Sequence, residues 1–223
     1  KLNALNHALS QALHDAMIAA DRDERVGAIV LTGAGRAFCA GADVAEFSSL
    51  TADDPHAIAA RGELTMRLHL SFAGISKPVI AAARGHAVGG GCGLAIACDM
   101  VIASETARFG YPEIKRGIVA AVVMANLVRQ VGRKIAFELI ALGESITPAR
   151  ALEIGMINRI VADDRLLDEA TAVAATMAGF TRVTMGATKR LFHRVADLDL
   201  DEALAIGRDA NIIMRGYRSE TKS

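Results

Sequence analysis

Three consecutive glycines, Gly89, Gly90 and Gly91, stand where an apolar strand runs into a helix of small residues. The predicted strand covers residues 78–83 and 87–88, and the predicted helix covers residues 92–98. Glycines at such a junction let the backbone approach a ligand closely and direct its N–H groups outward. The helix N-terminus adds about half a positive charge at the same place. The pattern therefore indicates a binding site for an oxygen atom that becomes negatively charged.

Glycine-rich turns of this kind often bind phosphate or present a reactive serine, and the sequence argues against both. The dinucleotide fingerprint G-x-G-x-x-G would need glycine at position 94, which is Leu94. Neither the P-loop pattern G-x-x-x-x-G-K-[ST] nor the nucleophile elbow G-x-S-x-G occurs in the chain. A structural interpretation stays open, in which the glycines only permit tight packing of strand against helix.

A second glycine turn follows the predicted strand at residues 26–32 and runs from Gly33 to Asp43. It also ends a strand in small residues, and Asp43 can cap the next helix. Two strand ends, each with a bare backbone N–H, are the minimum for a two-donor oxyanion hole. Taken alone, Asp43 is better explained as an ordinary helix cap than by a chemical role.

The two turns belong to a series of motifs that resembles the enoyl-CoA hydratase/isomerase (crotonase) superfamily. The family pattern is N-A-L, R-A-F-x-A-G-A-D, K-P-V-I-A-A-x-x-G-x-A-x-G-G-G and F-G-x-P-E. In this chain the motifs occupy residues 3–5, 36–43, 77–91 and 109–113, and the resemblance continues through 155–158 and 187–189. Four motifs in the right order and spacing make the resemblance specific, and it covers nearly the whole chain.

The resemblance implies a fold and an assembly. The fold is α/β, a crotonase-like spiral of ββα units with a helical C-terminal trimerisation region. Residues 1–160 are expected to form the spiral core with the CoA and active site, and residues 161–223 the helical oligomerisation region. The expected assembly is a homotrimer or a dimer of trimers. A mean hydropathy of +0.30 also suggests buried subunit interfaces.

The resemblance also implies the residues of the site. The backbone N–H groups of Ala42 and Gly90 are expected to hold the carbonyl oxygen of an acyl-CoA thioester and to stabilise its enolate. Residues 42–45 are expected to run beside the CoA moiety, which is part of the substrate, so neither a separate cofactor nor a metal is implied. The expected substrate-binding residues are Ala40, Asp43, Val44, Ala45, Gly89 and Arg36, with Lys1 and Arg36 as candidates for the CoA phosphates.

One departure from the family pattern bears on the reaction. Hydratases of this family usually carry two glutamates, and the position of the first is occupied here by Gly93. The second is present as Glu113, the expected catalytic acid and base. A single carboxylate can remove a proton from one carbon and return it at another. The departure therefore favours double-bond isomerisation over hydration.

Three other carboxylates are candidates for the missing partner. Asp99 is better explained as a structural cap and Glu46 as a solvent-facing residue, while Glu63 lies on an amphipathic stretch at residues 55–72. The family's P-G-x-G-G stretch is also replaced, here by the apolar residues 117–124. That segment is either a hydrophobic wall near the acyl group or part of the core.

Two other classes of function remain open from the sequence. The first is a crotonase-fold protein that binds acyl-CoA, or RNA, without turnover. The second is another crotonase reaction, such as dehalogenation, decarboxylation or thioester hydrolysis. Lysine and arginine total 25, as do aspartate and glutamate, so the net charge of zero gives no support for a nucleic-acid partner.

Composition places the chain among ordinary globular proteins. Its 223 residues are 52% hydrophobic and 22% charged, enough for a substantial core. No apolar run approaches the roughly 20 residues that span a bilayer, so no membrane segment is expected. Three cysteines without a C-x-x-C pattern predict reduced thiols in a cytoplasmic protein. The six histidines show no metal-binding spacing.

The hydrophobic pattern predicts the elements that position these motifs. Leu5, Leu9, Leu13 and Met17 form a helical stripe over residues 3–20. Strands and helices then alternate through residues 26–103, as in parallel sheets with helical crossovers. The elements predicted after residue 118 are a helix between Thr147 and Gly155, a strand at 157–161 and amphipathic helices at 164–178, 183–195 and 201–214.

Overall fold

The structure is a computed structural model that describes residues 2–47 and 50–220. The strands of these residues are β1 Ile29–Thr32, β2 Val79–Ala83, β3 His86–Val88, β4 Met100–Ser104, β5 Arg108–Gly110, β6 Ser145–Ile146 and β7 Arg159–Val161. The helices are α1 His7–Arg22, α2 Val44–Phe47, α3 Pro55–Gly74, α4 Gly90–Ala97, α5 Ala121–Val131, α6 Arg133–Leu142, α7 Pro148–Glu153, α8 Leu166–Ala178, α9 Arg182–Val195 and α10 Leu200–Glu220. Turns of 3-10 helix cover Pro112–Arg116 and Asp163–Arg165.

The seven strands of the described residues form two sheets, and the chain passes back and forth between them. The larger contains β1, β2, β4 and β7 in that order, all parallel, and the smaller contains β3, β5 and β6. β3 is parallel to β5, whereas β6 is antiparallel to it. Successive strands alternate between the sheets, since β2 and β4 enter the larger and β3 and β5, which follow them, enter the smaller. This alternation produces the spiral of ββα units that the sequence predicts.

The larger sheet is buried on both faces, as the all-apolar sequence of β2 indicates. All five residues of β2 are buried. Val79, Ala81 and Ala83 belong to the main hydrophobic core, whereas Ile80 and Ala82 belong to a second cluster on the opposite face. The second cluster is closed by α8 through Leu166, Ala170 and Ala174, which repeat every four residues. Burial on both faces is typical of parallel strands covered by helices.

The first helix begins later than the hydrophobic stripe predicts. α1 starts at His7 with Asn6 as its cap. Asn3 has a left-handed backbone, with a φ of 55°, and its side-chain amide donates to the carbonyl groups of Ala37 and Phe38. The segment before α1 is therefore attached to the first glycine turn and is not helical.

The apolar stretch at residues 78–88 forms two strands in different sheets. The chain leaves β2, turns at Gly85 with a φ of 55° and enters β3. A Cβ at this position would collide with the carbonyl oxygen of Arg36, so the turn requires glycine. The following helix, α4, begins at Gly90, two residues before its predicted start. Gly90 and Gly91 are therefore its first residues.

The predicted helical second half is confirmed. Thr147 caps α7 by accepting a hydrogen bond from the N–H of Arg150 at 3.3 Å, and Gly155 follows the helix with a φ of 73°. α9 agrees with its predicted range, α8 starts two residues late because a 3-10 turn precedes it, and α10 continues to Glu220. Within the described ranges, no helix has the length and apolar character needed to cross a membrane.

Candidate active site

The two glycine turns lie side by side. Cys39 forms a parallel β-bridge with Ala87, in which its N–H donates to the carbonyl of His86 at 2.9 Å. The carbonyl of Cys39 accepts from the N–H of Val88 at 3.0 Å. Gly41, with a φ of 84°, approaches so closely that a Cβ there would lie 2.8 Å from the carbonyl oxygen of Val88. The first turn is thereby held against the start of α4.

Two backbone N–H groups remain unused in this arrangement. Leu5 bridges to Ala42 through the carbonyl of Gly41 and the N–H of Asp43, which leaves the N–H of Ala42 unbonded. Gly90 is the first residue of α4, where an N–H has no acceptor within the helix. A Cβ on Gly90 would lie 3.9 Å from the nitrogen of Ala42. Neither N–H has an acceptor among residues 2–47 and 50–220, so both are available to one oxygen atom.

Glu113 brings a carboxylate to the same place. It lies in the 3-10 turn after β5, and β5 pairs with β3 directly before the glycines. Its Oε1 is 2.5 Å from where a Cβ on Gly89 would be, so only glycine leaves room for it. Its Oε2 is buried without a hydrogen-bond partner in the described part of the chain. Burial raises the pKa of the Glu113 carboxyl, against the opposing effects of its own backbone N–H and of Arg116.

The position that lacks the first glutamate is closed by other side chains. A Cβ on Gly93 would collide with Cγ1 of Val123, from α5, and would lie 2.9 Å from Cε1 of His69, from α3. Val123 belongs to the apolar segment 117–124 that replaces the family's P-G-x-G-G. The two departures from the family pattern therefore meet in space: the side chain absent from α4 is replaced by one on α5.

His69 is a polar residue of this region that sequence reasoning missed. It is 8% exposed, and its Nδ1 is buried with no partner among the described residues. Burial lowers the pKa of the imidazole to about 4, so the ring is neutral at pH 7. The available signal was its helical spacing, because His69 adjoins the buried stripe of Leu64, Leu68 and Phe72 in α3.

Asp99, one candidate for the missing carboxylate, is a structural residue as predicted. Its Oδ2 accepts hydrogen bonds from the N–H of Val79 and from Nζ of Lys189, both at 2.7 Å. Nε2 of His193 lies 3.0 Å from its Oδ1. Asp99 therefore ties α9 to the larger sheet.

The two remaining candidates for the missing carboxylate are Glu46, which lies in α2, and Glu63, which lies in α3. Glu46 is not the solvent-facing residue that the sequence suggests, because it is half-buried and accepts a hydrogen bond from the N–H of His7 at 2.7 Å. It also forms an ion pair with Arg61 at 3.4 Å, which links α2 to α3. Glu63 is exposed on α3. Neither contacts Glu113 through any interaction found among the described residues.

The expected substrate-binding residues lie on both glycine turns. Asp43 is buried, and its carboxylate accepts a hydrogen bond from the N–H of Ala45 at 3.1 Å. Its role as the cap of α2 is thereby confirmed. Of the other residues, Val44, Ala45 and Arg36 are exposed, Ala40 is half-buried, Gly89 is buried and Lys1 lies outside the described residues.

These groups can stabilise an oxyanion and transfer a proton. The loss of one such donor typically costs about 2.7–4 kcal/mol of transition-state stabilisation. An unpaired carboxylate with a raised pKa is suited to exchange a proton with a carbon beside the bound carbonyl group. Because both donors belong to the backbone, substitution of a side chain affects them only by moving the turn.

The chain is similar to known sequences of one family. The family model described as enoyl-CoA hydratase/isomerase matches residues 1–214. A probable enoyl-CoA hydratase of Rhizobium meliloti (strain 1021) is 42% identical over 208 residues, which cover 93% of this chain and 79% of that protein. The 2,3-dehydroadipyl-CoA hydratase of Escherichia coli (strain K12) is 35% identical over 204 residues, 91% of this chain and 78% of that protein.

Solved structures share the whole architecture. An enoyl-CoA hydratase from Mycobacterium smegmatis has a TM-score of 0.90 at 32% identity, covering 94% of this chain and 81% of that one. An enoyl-CoA hydratase/isomerase family protein from Silicibacter pomeroyi has a TM-score of 0.88 at 29% identity, covering 95% of this chain and 88% of that one. The two similarities show that all three chains share one fold.

Proposed function

Since the chain belongs to the enoyl-CoA hydratase/isomerase family, we propose that it acts on an enoyl-CoA thioester bound between Ala42 and Gly90. The carbonyl oxygen of the thioester accepts hydrogen bonds from these two backbone N–H groups. They stabilise the negative charge that the oxygen acquires when a neighbouring carbon loses a proton. CoA arrives as part of the substrate and lies along Val44 and Ala45, with its phosphates toward Arg36.

Glu113 is the proposed acid and base, and its position carries the proposal. Its Oε2 is buried and has no hydrogen-bond partner among the described residues, and the carboxylate contacts Gly89, next to the proposed donor Gly90. As a base it removes a proton from the carbon beside the thioester carbonyl, and the electron pair moves onto the carbonyl oxygen. As an acid it returns the proton to a carbon of the resulting enolate.

Double-bond isomerisation is the favoured reaction. It needs one group that takes a proton from the second carbon of a 3-enoyl thioester and delivers it to the fourth. Glu113 can do both, because the proton that it removes is the proton that it returns, and the substrate neither gains nor loses an atom. The second carboxylate of the hydratase pattern is absent at Gly93, where Val123 fills the space.

Hydration is the second candidate, and it is supported by the names of the relatives. The Rhizobium meliloti and Escherichia coli proteins are both named hydratases. In this reaction Glu113 takes a proton from a water molecule as the water oxygen adds to the third carbon. The protonated Glu113 then gives that proton to the second carbon of the enolate. One carboxylate then has to position the water and activate it.

Parallel incubations with a 2-enoyl-CoA and a 3-enoyl-CoA separate the candidates. Isomerisation is expected to raise the absorbance of the conjugated thioester in the second tube. Loss of that absorbance in the first tube, with no rise in the second, makes hydration the reaction instead. No change in either tube, with substrates of several chain lengths, contradicts the proposed function.

A homotrimer or a dimer of trimers is the proposed assembly. Apolar side chains of the last two helices are exposed in the described part of the chain, among them Phe192, Leu200, Leu204, Ile212 and Ile213. Exposed apolar side chains in this number support a buried subunit interface. Sedimentation equilibrium is expected to give a mass of three or six chains of 23.4 kDa, and a monomer would contradict the assembly.

A further inference from the structure

A cavity of about 260 Å³ lies at the amino ends of two parallel strands of the larger sheet. Its lining includes Gly27, which precedes β1, and Lys77, which precedes β2. The first glycine turn of the active site instead follows β1. Leu5, before the start of α1, bridges to Ala42, whereas Arg22, at the end of α1, lines the cavity. Since the 16 residues of α1 span about 24 Å, the cavity is distinct from the candidate active site.

Closely packed helices hold the walls of the cavity in place. A Cβ on Gly27 would lie 2.6 Å from Cβ of Ala178, at the end of α8. A Cβ on Gly186, in α9, would lie 3.3 Å from Cβ of Ser76, another lining residue. These contacts fix α8 and α9 against the segments that precede the two strands. The cavity is therefore formed before a ligand binds, as is usual for small-molecule sites.

Lys77 brings a buried cation to this cavity. The residue is 5% exposed. Its ammonium donates to the carbonyl of Asp23 at 3.0 Å and to that of Val26, so its third N–H has no acceptor among the described residues. The carboxylate of Asp23 is paired with Arg25, at 2.7 Å. Lysine is almost never fully buried without an ionic partner, because an unpaired buried charge is costly. The position of Lys77 therefore indicates an anionic ligand.

Two arginines add positive charge to the same cavity. Arg22 is the last residue of α1 and Arg182 is the first residue of α9, and both line the cavity with exposed side chains. Neither guanidinium forms a hydrogen bond or an ion pair within residues 2–47 and 50–220. A guanidinium binds the oxygen atoms of a phosphate or a carboxylate with two parallel hydrogen bonds. Both arginines are therefore available to an anion in the cavity.

Two carboxylates also line the cavity, and they leave positive charge in excess. Oδ1 of Asp21 accepts hydrogen bonds from the N–H and the hydroxyl of Ser76, at 2.8 and 2.7 Å. Glu24 is exposed. With three cations and two carboxylates, the lining has a net charge of one positive unit. An anion with more than one negative charge matches the three cations best.

We propose that this cavity binds a phosphate group, held by Lys77, Arg22 and Arg182. The ligand is inorganic phosphate or the phosphate of a small organic ester. The cavity is slightly smaller than the roughly 300–1,000 Å³ of sites for drug-sized ligands, which suits a ligand of this size. A phosphate group carries up to two negative charges and several acceptor oxygens, so it supplies the counter-charge that Lys77 lacks. The bound phosphate joins α1 to α9 and stabilises the folded chain. This site does not depend on the proposed function.

Calorimetric titration of the full chain with inorganic phosphate and, separately, with glycerol 3-phosphate tests the site. Sodium chloride keeps the ionic strength constant. We expect saturable binding of one phosphate group per chain. Tighter binding of glycerol 3-phosphate identifies an organic ester as the ligand, and binding of inorganic phosphate that is at least as tight identifies the free ion. Absence of saturable binding by both probes overturns the proposal.

A double variant, Arg22→Gln with Arg182→Gln, assigns the binding to this cavity. It is expected to weaken binding of the tighter probe by about tenfold or more, as for the loss of hydrogen bonds to a charged group. Lys77 is kept because its ammonium also holds two carbonyl groups. The matched control is Arg133→Gln with Arg194→Gln, which removes two exposed arginines of α6 and α9 and is expected to retain full affinity. A loss no larger than that of the control overturns the proposal.

Arg36→Gln tests whether the probe occupies the place proposed for the CoA phosphates instead. We expect the affinity for the probe to be unchanged in this variant, because Arg36 follows β1 and the cavity precedes it. If Arg36→Gln abolishes the binding and the Arg22 and Arg182 double variant retains it, the phosphate binds in the CoA site and the proposal is wrong. The reaction with an enoyl-CoA is measured separately, so failure of this site leaves the proposed function intact.

Discussion

Val123 and Gly93 form a complementary pair across the contact between α5 and α4, since Cγ1 of Val123 occupies the place where a side chain at position 93 would begin. Gly93 is fully enclosed within α4, and Val123 is buried at 5% exposure. A larger residue on one helix therefore requires a smaller one on the other. The side chain that is absent at position 93 and the apolar side chain that is present at position 123 would therefore occupy the same space.

This pairing predicts that substitutions at the two positions are coupled. Gly93→Ala is expected to lower the free energy of unfolding by about 1–3 kcal/mol, because the added methyl group overpacks the contact. In a Val123→Ala background the same change is expected to cost less, because the contact with Cγ1 at 2.3 Å is removed while the contacts with Cβ of residue 123 and Cε1 of His69, both at 2.9 Å, remain. Urea denaturation of the four chains measures the coupling.

Gly62→Ala provides the control for this measurement. Gly62 also lies in a helix, α3, but nothing stands within 4 Å of the place where its Cβ would be. We expect Gly62→Ala to be neutral or mildly stabilising. An equal loss for Gly93→Ala in both backgrounds would show that Cγ1 of Val123 is not the atom that opposes the added methyl group.

Replacement of Glu113 by Gln is expected to lower turnover by about 10²- to 10⁴-fold, the usual contribution of a general acid or base. Affinity for CoA is expected to stay the same, because CoA binds away from the proton transfer. Glu63→Gln is the matched control, since Glu63 is an exposed glutamate on α3. Steady-state kinetics with the preferred enoyl-CoA give the result, and unchanged turnover in Glu113→Gln would exclude Glu113 as the base.

The burial of Glu113 predicts the acid limb of the pH–rate profile. Burial raises the pKa of its carboxyl, so the carboxylate that acts as base is lost at a higher pH than for an ordinary glutamate. Activity should therefore rise with pH through that raised pKa. The measurement is kcat/KM against pH, which reports the free enzyme. A profile that stays flat down to the pKa of an exposed glutamate would contradict the burial of this group.

His69 predicts a loss of stability in mild acid. Its pKa is about 4 in the folded protein, whereas an exposed histidine has a pKa of about 6.5. The unfolded chain therefore takes up a proton between these values that the folded chain does not. Stability falls as the pH drops, by about 2 kcal/mol between pH 7 and pH 5. His69→Leu should lack this component and His56→Leu should retain it; identical pH dependence in all three chains would show that His69 titrates normally.

Lys189 is expected to be a major contributor to the attachment of α9. Its Nζ donates to Asp99 at 2.7 Å and to the carbonyl of Lys77 at 2.8 Å, and its side chain is 4% exposed. Lys189→Met leaves a largely buried carboxylate without its cation, which typically costs about 3–5 kcal/mol. Thermal or urea unfolding measures the loss, with the exposed Lys134→Met as control. A change below that of the control would mean that the ion pair contributes little.

The sequence predicted the positions of residues that follow directly on strands. Ala42 and Gly90 come after segments paired by parallel bridges, and Glu113 comes after β5, so a short motif determines where each residue lies. The cap at Thr147 was predicted by the same local logic and is confirmed. The glycine turn at Gly85 was not predicted, because a turn inside an apolar run leaves no periodicity to mark it. The crotonase fold predicted from the motifs is confirmed by the solved structures.

His69, which sequence reasoning missed, is brought against α4 by helix packing. Val123 lies in the segment 117–124, for which the sequence left open a hydrophobic wall or core packing, and it belongs to the main core. Both side chains meet α4 through contacts that no local pattern encodes. The start of α1 was misplaced for a related reason: Leu5 has the spacing of a helical stripe but forms a β-bridge with Ala42 instead. Glu46 was expected in solvent, yet it forms an ion pair with Arg61, which depends on how α2 lies against α3 and is encoded by no local pattern.

In the proposed site, main-chain amides at Ala42 and Gly90 bind the substrate oxygen, whereas a side chain transfers the proton. The positions of these two amides are determined by the backbone conformation, which a single substitution seldom changes. In the proposed reaction the proton is moved by Glu113, and positions 93 and 123 determine whether a second carboxylate fits beside it; each of these positions can be exchanged singly. A variant of this chain can therefore catalyse a different reaction after a few substitutions while it binds the substrate oxygen in the same way.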